Sequence, residues 1–445
     1  MGVLCKNQNV HEEKGSNMNK KLLHTPEGVR DIYDGEYNQK IKIEEQLLEV
    51  LKLYGYKRIQ TPMFEFFDIF NRDKGSVSSK EMYKFFDREG NTLVLRPDMT
   101  PSIARCVAKY YEEEELPIRL CYKGNTFINN SSYQGKLKET TQLGAELVND
   151  NSAGGDAEMI AMAIESFLSV GIEDFTVDIG QVEFYQGIVD EFHIKEEEEE
   201  RLRELIRNKN FFGMEEFIAG TEISEEGKQV ILKFSELYGG VDILETAKNL
   251  TCNQMACRAV EHLENVYRIL SIYGYDKYVS FDLGMLHNYN YYTGIIFKGY
   301  TYGTGDAVIK GGRYDSLLAQ FGKNAPSIGF AINVDELLLA MRSQKIPIEN
   351  KSDRRMIIYR DGAYPAAVKL AEKYRKHGIA CEVMHLCQGR PFDHYFEIAE
   401  KEGMDRICYF ENEDLIWLIT TETKKFEKMS SVEEVYERIE GIKGK

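Results

Sequence analysis

The feature that most constrains the fold is a succession of short strand-like segments joined by turns in the first third of the chain. Residues 83–95 alternate as two strands around a charged turn, and two further strand-like segments flank a polar loop between Phe127 and Gln142. A helical pattern that ends at Gly55 precedes them, and another helix is predicted from about Ser102. Strands joined by short turns pair antiparallel, whereas parallel strands need a long crossover between them. The sequence therefore predicts an α+β fold with an antiparallel sheet and flanking helices.

The predicted secondary-structure pattern of the rest of the chain changes twice. Residues 155–275 are mainly helical and charged, and we interpret them as a helical insertion. Strand-like, aromatic-rich sequence returns at 278–334, where the glycine-rich segment 302–306 lacks the Gly-Lys-Ser/Thr of a phosphate loop and is interpreted as a hairpin turn. From Met356 onward, short strands and helices alternate. We therefore predict a loose tail at residues 1–20, a core at 21–342 that contains the insertion, and a small α/β domain at 343–445.

Composition excludes several classes of function. Fifty-six basic and 73 acidic residues give a formal charge of −17. Proteins that bind nucleic acid need a basic surface, so tRNA is an unfavoured partner. No apolar stretch approaches the roughly 20 residues that a membrane helix needs. The eight cysteines and eight histidines lack metal-ligand spacing, so we expect a cytoplasmic protein with reduced cysteines, no metal and no other cofactor.

Several short motifs carry a resemblance to a known family. They are Leu-Arg-Pro-Asp-Met-Thr at 95–100, Gln-Leu-Gly-Ala-Glu at 142–146, Tyr-Tyr-Thr-Gly at 291–294, Gly-Gly-Arg-Tyr-Asp at 311–315 and Ser-Ile-Gly-Phe-Ala-Ile at 327–332. Their order and spacing are similar to those of the histidyl-tRNA synthetase superfamily. The resemblance implies a class II synthetase core with a six- or seven-stranded antiparallel sheet, which dimerises through the region around Pro62. It also implies that the C-terminal segment is a reduced anticodon-binding domain.

The resemblance also identifies residues that are missing. Synthetases of this superfamily hold ATP with arginines, because a planar guanidinium grips phosphate oxygens in a bidentate fork. Three of these arginines would fall at Ile128, His287 and Glu336, and a glutamate that reads the adenine would fall at Asn130. A carboxylate at position 336 would repel a phosphate. The chain therefore resembles a synthetase that has lost the residues that hold ATP.

The loss does not depend on the details of the alignment. Residues 121–199, 270–311 and 315–340 contain no arginine, so no shift of register restores the three. Arg96 and Arg313 remain, but in the superfamily these positions also occur within structural turns and strands. Losing one such phosphate contact typically costs on the order of 10²–10³ in rate. We therefore expect the chain to have no adenylation activity.

The residues that would bind the amino acid are retained. By resemblance, Asp98, Thr100 and Gln142 would receive the α-ammonium of histidine, Glu146 and Tyr291 would bind its imidazole, and Tyr292 would form a wall of the pocket. Asp98 replaces the glutamate that synthetases usually have and is one methylene shorter. A site that keeps the amino-acid ligands and lacks the ATP ligands is typical of a sensor.

Structural explanations remain open for most of these residues. Asp98 follows Pro97 and could simply cap the next helix. Tyr291 and Tyr292 could be ordinary strand packing. Glu146 lies in an otherwise apolar strand, and a buried carboxylate without a partner is costly, so a purely structural role is harder to assign to it.

Retained amino-acid ligands with missing ATP ligands are similar to one branch of the superfamily, the regulatory subunits of the two-component ATP phosphoribosyltransferase. That enzyme catalyses the first step of histidine biosynthesis. The form of the first motif and the continuation Ile-Ile-Phe at 295–297 favour this branch. The resemblance implies a subunit without activity of its own. Such a subunit joins a short catalytic subunit in a hetero-octamer and confers activation and feedback inhibition by histidine.

Two other functions remain open on the sequence. The chain could be a divergent but active histidyl-tRNA synthetase, which the missing arginines argue against. It could also be a synthetase-like paralogue that binds a different amino acid or serves only in assembly.

Overall fold

A computed structural model describes residues 23–70, 77–130, 136–286, 292–348, 354–386 and 391–440. The predicted tail at residues 1–20 and two predicted site positions, His287 and Tyr291, lie outside these ranges. Over the described ranges the chain forms two compact units, one containing residues 23–32 and 40–347 and the other residues 33–39 and 348–440. Across the described ranges, no helix combines the length and the apolar character needed to cross a membrane.

Twelve strands are described before residue 348. In chain order they are β1 (Lys57–Arg58), β2 (Phe64–Phe66), β3 (Lys84–Phe86), β4 (Thr92–Leu95), β5 (Ile118–Phe127), β6 (Glu139–Val148), β7 (Phe175–Gln181), β8 (Tyr238–Gly239), β9 (Val279–Asp282), β10 (Ile295–Thr301), β11 (Ile309–Arg313) and β12 (Ser327–Asn333).

Nine of these strands form one sheet in the order β1-β5-β6-β12-β11-β10-β7-β9-β8. The full sheet departs in two respects from the expected six- or seven-stranded antiparallel sheet. The sheet has more strands, and β1 with β5 and β7 with β9 pair parallel. Strands β1 and β8 have only two residues each, too short to show the alternation by which a strand is recognised in sequence. The six central strands from β5 to β7 are antiparallel, as predicted.

A separate three-stranded sheet has the order β2-β4-β3. Strands β3 and β4 form the hairpin predicted at residues 83–95, with Phe85 opposite Leu93. Three exposed phenylalanines of this sheet share one face: Phe64, Phe66 and Phe85, with exposed fractions of 53%, 55% and 37%. Phe86, which is 73% exposed, lies on the other face. The small sheet therefore presents an aromatic surface to solvent.

Helices cover the large sheet and connect its strands. Those before residue 348 are α1 (Asp34–Leu53), α2 (Thr100–Tyr110), α3 (Ala153–Ser169), α4 (Val182–Glu191), α5 (Glu196–Arg207), α6 (Phe211–Ala219), α7 (Glu225–Lys233), α8 (Asp242–Lys248), α9 (Gln254–Tyr273) and α10 (Val334–Ser343). Helix α3 packs on the sheet with Met159, Ile160 and Phe167 fully buried, and α9 packs against α3 and α4.

The range 155–275 is not helical throughout. It contains β7, which lies between β10 and β9 and pairs with β10 along its whole length, from Phe175 opposite Thr301 to Gln181 opposite Ile295. A short, largely buried strand between two helices resembles a helical segment in its apolar content, and for this reason the pattern did not separate it. The mainly helical part begins with α4 and is interrupted by the two-residue strand β8.

The second unit contains a five-stranded sheet. Its strands are β13 (Arg354–Tyr359), β14 (Ala380–His385), β15 (Arg406–Asn412), β16 (Leu415–Thr420) and β17 (Lys425–Met429), in the order β14-β13-β15-β16-β17. Helices α11 (Tyr364–Lys376) and α13 (Val432–Glu440) pack on one face, and α12 (Asp393–Lys401) packs on the other. The predicted alternation of strands and helices is present. The final strand and helix, β17 and α13, were not predicted.

Candidate ligand-binding site

A cavity of about 230 Å³ lies over strands β6 and β12, beside the beginning of helix α2. Cavities for drug-sized ligands are typically about 300–1,000 Å³, so this space suits a smaller metabolite. Four of the six predicted ligand-binding residues line it: Asp98, Thr100, Gln142 and Tyr292.

Glycines on the paired strands β6 and β12 leave space for the side chains that form the floor of the cavity. Gln142 of β6 lies opposite Asn333 of β12, and Glu146 lies opposite Gly329. Successive residues of a strand point to opposite faces, so Gln142 and Glu146 share one face of β6. Gly144, between them, leaves room for the Tyr122 hydroxyl from β5. The strand pairing thus brings together residues that are distant in sequence.

Asp98 and Thr100 reach the cavity from the turn that follows β4. Thr100 is the first residue of α2 and Pro101 is in its first turn, where the missing N–H costs nothing. Asp98 accepts a hydrogen bond from the Met99 N–H at 2.8 Å, and no side chain caps the helix. The proposed capping role for Asp98 is therefore not observed. Both Asp98 and Thr100 are buried.

Gln142 offers a hydrogen-bond acceptor at the cavity. Its Oε1 atom is buried and has no hydrogen-bond partner among the described residues. A buried polar atom without a partner costs on the order of 1–3 kcal/mol. A ligand that donates a hydrogen bond at this point would remove that cost.

Glu146 lies beneath the cavity rather than on its wall. It is 1% exposed, and its two oxygens accept hydrogen bonds from the Thr100 hydroxyl at 2.9 Å and the Tyr314 hydroxyl at 2.5 Å. Burial raises the pKa of Glu146 to about 8, although the hydroxyls of Tyr314 and Thr100 partly offset this by stabilising the carboxylate. Thr100 and Tyr314 themselves line the cavity.

Two tyrosines complete the wall. The ring of Tyr292 packs over Gly312, where any side chain would overlap it. Tyr314 is 2% exposed, and burial next to Glu146 raises the pKa of its hydroxyl well above the ordinary value. Sequence reasoning identified the Gly-Gly-Arg-Tyr-Asp motif but did not assign Tyr314 to the site. The position of Tyr314 within this family motif was the sequence signal that could have assigned it to the site. Tyr291 lies outside the described residues.

Two of the three positions where ATP arginines were expected line the same cavity. Ile128 brings an apolar side chain and Glu336 a carboxyl group. Burial raises the pKa of Glu336, and the nearby carboxylate of Asp306 adds to the rise. Asn130 also lines the cavity, whereas His287 lies outside the described residues. Three lysines are present among the lining residues: Lys136, Lys138 and Lys310.

The two arginines retained in the core motifs are engaged elsewhere. Arg96 donates hydrogen bonds to the backbone carbonyls of Thr61, Pro62 and Asn125. Arg313 forms a buried ion pair with Asp156 at 2.5 Å. Each guanidinium therefore holds backbone or buried carboxylate in place, and neither lines the cavity.

Comparisons with known proteins identify the family of this chain. A profile of the family described as histidyl-tRNA synthetase matches residues 28–337. The ATP phosphoribosyltransferase regulatory subunit of Acetivibrio thermocellus is 40% identical over 361 residues, which cover 81% of this chain and 86% of the relative. That of Clostridium botulinum is 36% identical over 397 residues, which cover 89% and 93%. This chain belongs to the ATP phosphoribosyltransferase regulatory subunit family.

A solved structure supports the same assignment at the level of the fold. It is described as an ATP phosphoribosyltransferase regulatory subunit/histidyl-tRNA synthetase from Bacillus halodurans. It matches with a TM-score of 0.78 at 31% identity and covers 88% of this chain and 99% of that one. The α+β, class II synthetase-like fold predicted from the sequence is confirmed. Among the described residues, no group of three or more histidines, cysteines and carboxylates is arranged to hold a metal ion.

Proposed function

We propose that this member of the regulatory subunit family binds histidine and has no catalytic activity of its own. In this proposal it associates with a short catalytic subunit of ATP phosphoribosyltransferase in the cytoplasm and confers both activation and feedback inhibition by histidine. The observation that carries the proposal is the buried, unpartnered Oε1 of Gln142, a residue that lines a small cavity together with Asp98. Ile128 and Glu336, where the family resemblance expects ATP arginines, line the same cavity.

The lining of the cavity complements an amino acid with a polar ring. The carboxylate of Asp98 and the Gln142 oxygen are acceptors suited to an α-ammonium group. The lysines of the lining supply positive charge for an α-carboxylate. The Tyr292 ring and the Tyr314 hydroxyl offer a flat apolar face and a polar contact to an imidazole, whose two nitrogens differ in hydrogen bonding. Tyr291 is part of the proposed histidine site through the family resemblance.

Adenylation would require ATP to be held and bent next to this amino acid. The developing charge at the α-phosphate needs preorganised cations, and arginine provides them best. Ile128 offers no charge, and Glu336 offers either a neutral carboxyl group or a negative one. Arg96 and Arg313 are committed to other partners. The chain is therefore proposed to bind an amino acid without activating it, and a tRNA partner is not needed.

The proposed assembly is a homodimer of this chain within a hetero-octamer. The exposed aromatic surface of the small sheet, formed by Phe64, Phe66 and Phe85, supports a self-association surface close to Pro62. Feedback inhibition would then follow from the different affinities of histidine for two arrangements of the complex. A ligand shifts such an equilibrium only by its differential affinity for the two states.

The test is reconstitution with a short catalytic subunit. We expect the two chains to co-purify, the phosphoribosyl transfer rate to rise on association, and histidine to inhibit the complex. Gln142→Ala should weaken inhibition at least tenfold, whereas Gln186→Ala on helix α4, away from the cavity, should leave it unchanged. A catalytic subunit that is equally active and equally insensitive to histidine with and without this chain would overturn the proposal.

Two alternatives are separated by direct assays. An active histidyl-tRNA synthetase would catalyse histidine-dependent exchange between pyrophosphate and ATP above the rate of a blank without protein. A paralogue for another amino acid would show no heat of binding when titrated with histidine, alone or with the catalytic subunit. We expect no exchange and saturable binding of histidine.

A further inference from the structure

A second, larger cavity of about 1,200 Å³ lies between the large sheet and the end of helix α5. Strands β7, β9 and β10 supply one side of its lining, and residues 207–209 at the end of α5 supply another. We infer that this cavity binds a phosphate ester that carries hydroxyl groups, such as a sugar phosphate, and that Lys298 of β10 holds the phosphate group. It is a second site, separate from the one that the proposed function assigns to the smaller cavity.

The register of the sheet brings two lysines together in this cavity. Lys298 of β10 lies opposite Lys310 of β11 on one side and opposite Asp178 of β7 on the other. Residues opposite each other on paired strands share one face of the sheet, and all three line the larger cavity. Like charges directly opposite on neighbouring strands are destabilising. An anion bound between Lys298 and Lys310 removes this repulsion.

The charge of Lys298 is not neutralised by an ion pair. The residue is partly buried and makes no hydrogen bond or ion pair with any described residue. Lys310 is paired with Asp306 at 2.7 Å, and Lys209 with Asp282 at 3.1 Å. Burial lowers the pKa of the Lys298 ammonium group, and the charge of Lys310 lowers it further. Because a partly buried ammonium group without a counter-ion is costly, a bound anion at Lys298 is stabilising.

The other charges of the cavity favour a dianion. Among the described lining residues five are basic and four are acidic, although the chain as a whole has a charge of −17. Lys136 and Arg207 supply two of the positive charges and, like Lys298, form no ion pair with a described residue. A phosphate monoester carries about 1.5 to 2 negative charges near pH 7. It therefore matches this lining better than a single carboxylate does.

The acidic side chains of the cavity provide acceptors for hydroxyl groups. Asp178 accepts a hydrogen bond from the Ser280 hydroxyl at 2.5 Å, and Asp282 accepts one from the Gly284 N–H at 3.0 Å. A carboxylate has about four lone pairs, so both can accept further hydrogen bonds. Such oxygens repel a free phosphate ion but bind the hydroxyl groups of a sugar. Lysines next to carboxylates therefore favour a sugar phosphate over inorganic phosphate.

The larger cavity adjoins the smaller one, but the two have different key residues. Five residues line both cavities: Ile128, Asn130, Lys136, Asp306 and Lys310. Lys298 and Asp178 line only the larger cavity, whereas Asp98 and Gln142 line only the smaller one. A substitution at Lys298 therefore tests the larger cavity while it leaves the lining of the smaller one intact.

Calorimetric titration of the full chain with ribose 5-phosphate tests the site. We expect saturable binding at least tenfold tighter than that of inorganic phosphate, and no binding of ribose, which lacks the phosphate group. Lys298→Met should lower the affinity for ribose 5-phosphate at least tenfold, whereas Lys298→Arg keeps the charge and should largely retain binding. Lys57→Met is the matched control. It changes an exposed lysine of the edge strand β1, far along the sheet from β10, and should bind like the unaltered chain.

Three results would overturn the inference: no binding of ribose 5-phosphate, equally tight binding of inorganic phosphate, or unchanged binding by Lys298→Met. Thermal unfolding shows whether the variant folds, and ribose 5-phosphate should raise the Tm of the unaltered chain but not that of the variant. Since Lys298→Met removes an uncompensated charge, we expect it to be no less stable than the unaltered chain. If it does not fold, Lys310→Met replaces it, with the same loss of affinity expected.

Histidine titrations separate this site from the proposed function. Lys298→Met should leave the affinity for histidine unchanged, because Lys298 does not line the smaller cavity. Binding of ribose 5-phosphate without binding of histidine would overturn the proposed function alone. Binding of histidine without binding of ribose 5-phosphate would overturn only this inference.

Discussion

Glu146 of strand β6 and Gly329 of strand β12 lie opposite each other in the sheet, and the Glu146 carboxyl group occupies the space that a side chain at 329 would need. The carbonyl of Ala145 closes the same space from the backbone. The glycine is thus required by the buried acid, and the two residues together define the floor of the candidate site.

Replacing this glycine tests the relationship. Gly329→Ala should lower the free energy of unfolding by roughly 1–3 kcal/mol, because an added methyl group in a packed interior forces its neighbours to shift. Chemical denaturation measures the change. Gly305→Ala is the matched control, since no atom lies within 4 Å of a methyl group there. Equal stability of the two variants would contradict the packing described for Glu146.

The buried acid also predicts a dependence of stability on pH. Burial raises the pKa of Glu146 to about 8, whereas a glutamate in an unfolded chain titrates near about 4.3. Between these values the native state binds more protons than the unfolded state, so the free energy of unfolding falls as the pH rises from about 5 to 8. The contribution is at most a few kcal/mol, at ~1.4 kcal/mol per pH unit.

Urea unfolding at several pH values, compared with Glu146→Gln, isolates this contribution from the other titrating groups. The variant should lose the part of the pH dependence that Glu146 causes. A difference in unfolding free energy between the two proteins that stays constant from pH 5 to 8 would show that Glu146 does not titrate in this range.

Breaking the Arg313–Asp156 ion pair is predicted to destabilise the core strongly. Asp156 is fully buried, and it also contacts His262 of helix α9 at 2.6 Å. Asp156→Ala would remove the nearer of the two carboxylates that pair with the buried guanidinium and leave only Asp315, at 3.2 Å, so we expect a loss of up to roughly 3–5 kcal/mol in the free energy of unfolding. Glu222→Ala removes a carboxylate from the exposed pair with Lys195 and should leave stability unchanged within error. Comparable effects of the two substitutions would contradict this assignment.

The aromatic surface of the small sheet predicts self-association. Phe66→Glu places a charge within this exposed apolar surface and should shift the chain from dimer to monomer in sedimentation velocity. Phe212→Glu, on helix α6, changes a residue that is 79% exposed and should leave the mass unchanged. If both variants remain dimers, the association surface lies elsewhere.

The sequence predicted much of the architecture, because the central elements have clear periodicity. The hairpin of β3 and β4, the strands around the loop after Phe127 and the hairpin turn at 302–306 between β10 and β11 are present as predicted. Strand β7 was missed because seven residues between two helices do not distinguish a buried strand from a helix. The two-residue strands β1 and β8 have no periodicity to detect.

The sequence by itself determined that the three windows in which the family resemblance expects ATP arginines contain none. It also determined the types of residue that remain for an amino-acid ligand. Only the tertiary structure decided how deeply each of these side chains is buried. Gln142 lines the cavity, whereas Glu146, four residues away on the same face of the strand, is buried beneath it. The physical reason is that depth depends on the residue opposite in a distant strand. Asn333 faces Gln142 and Gly329 faces Glu146, and no local pattern around residues 142–146 contains that information.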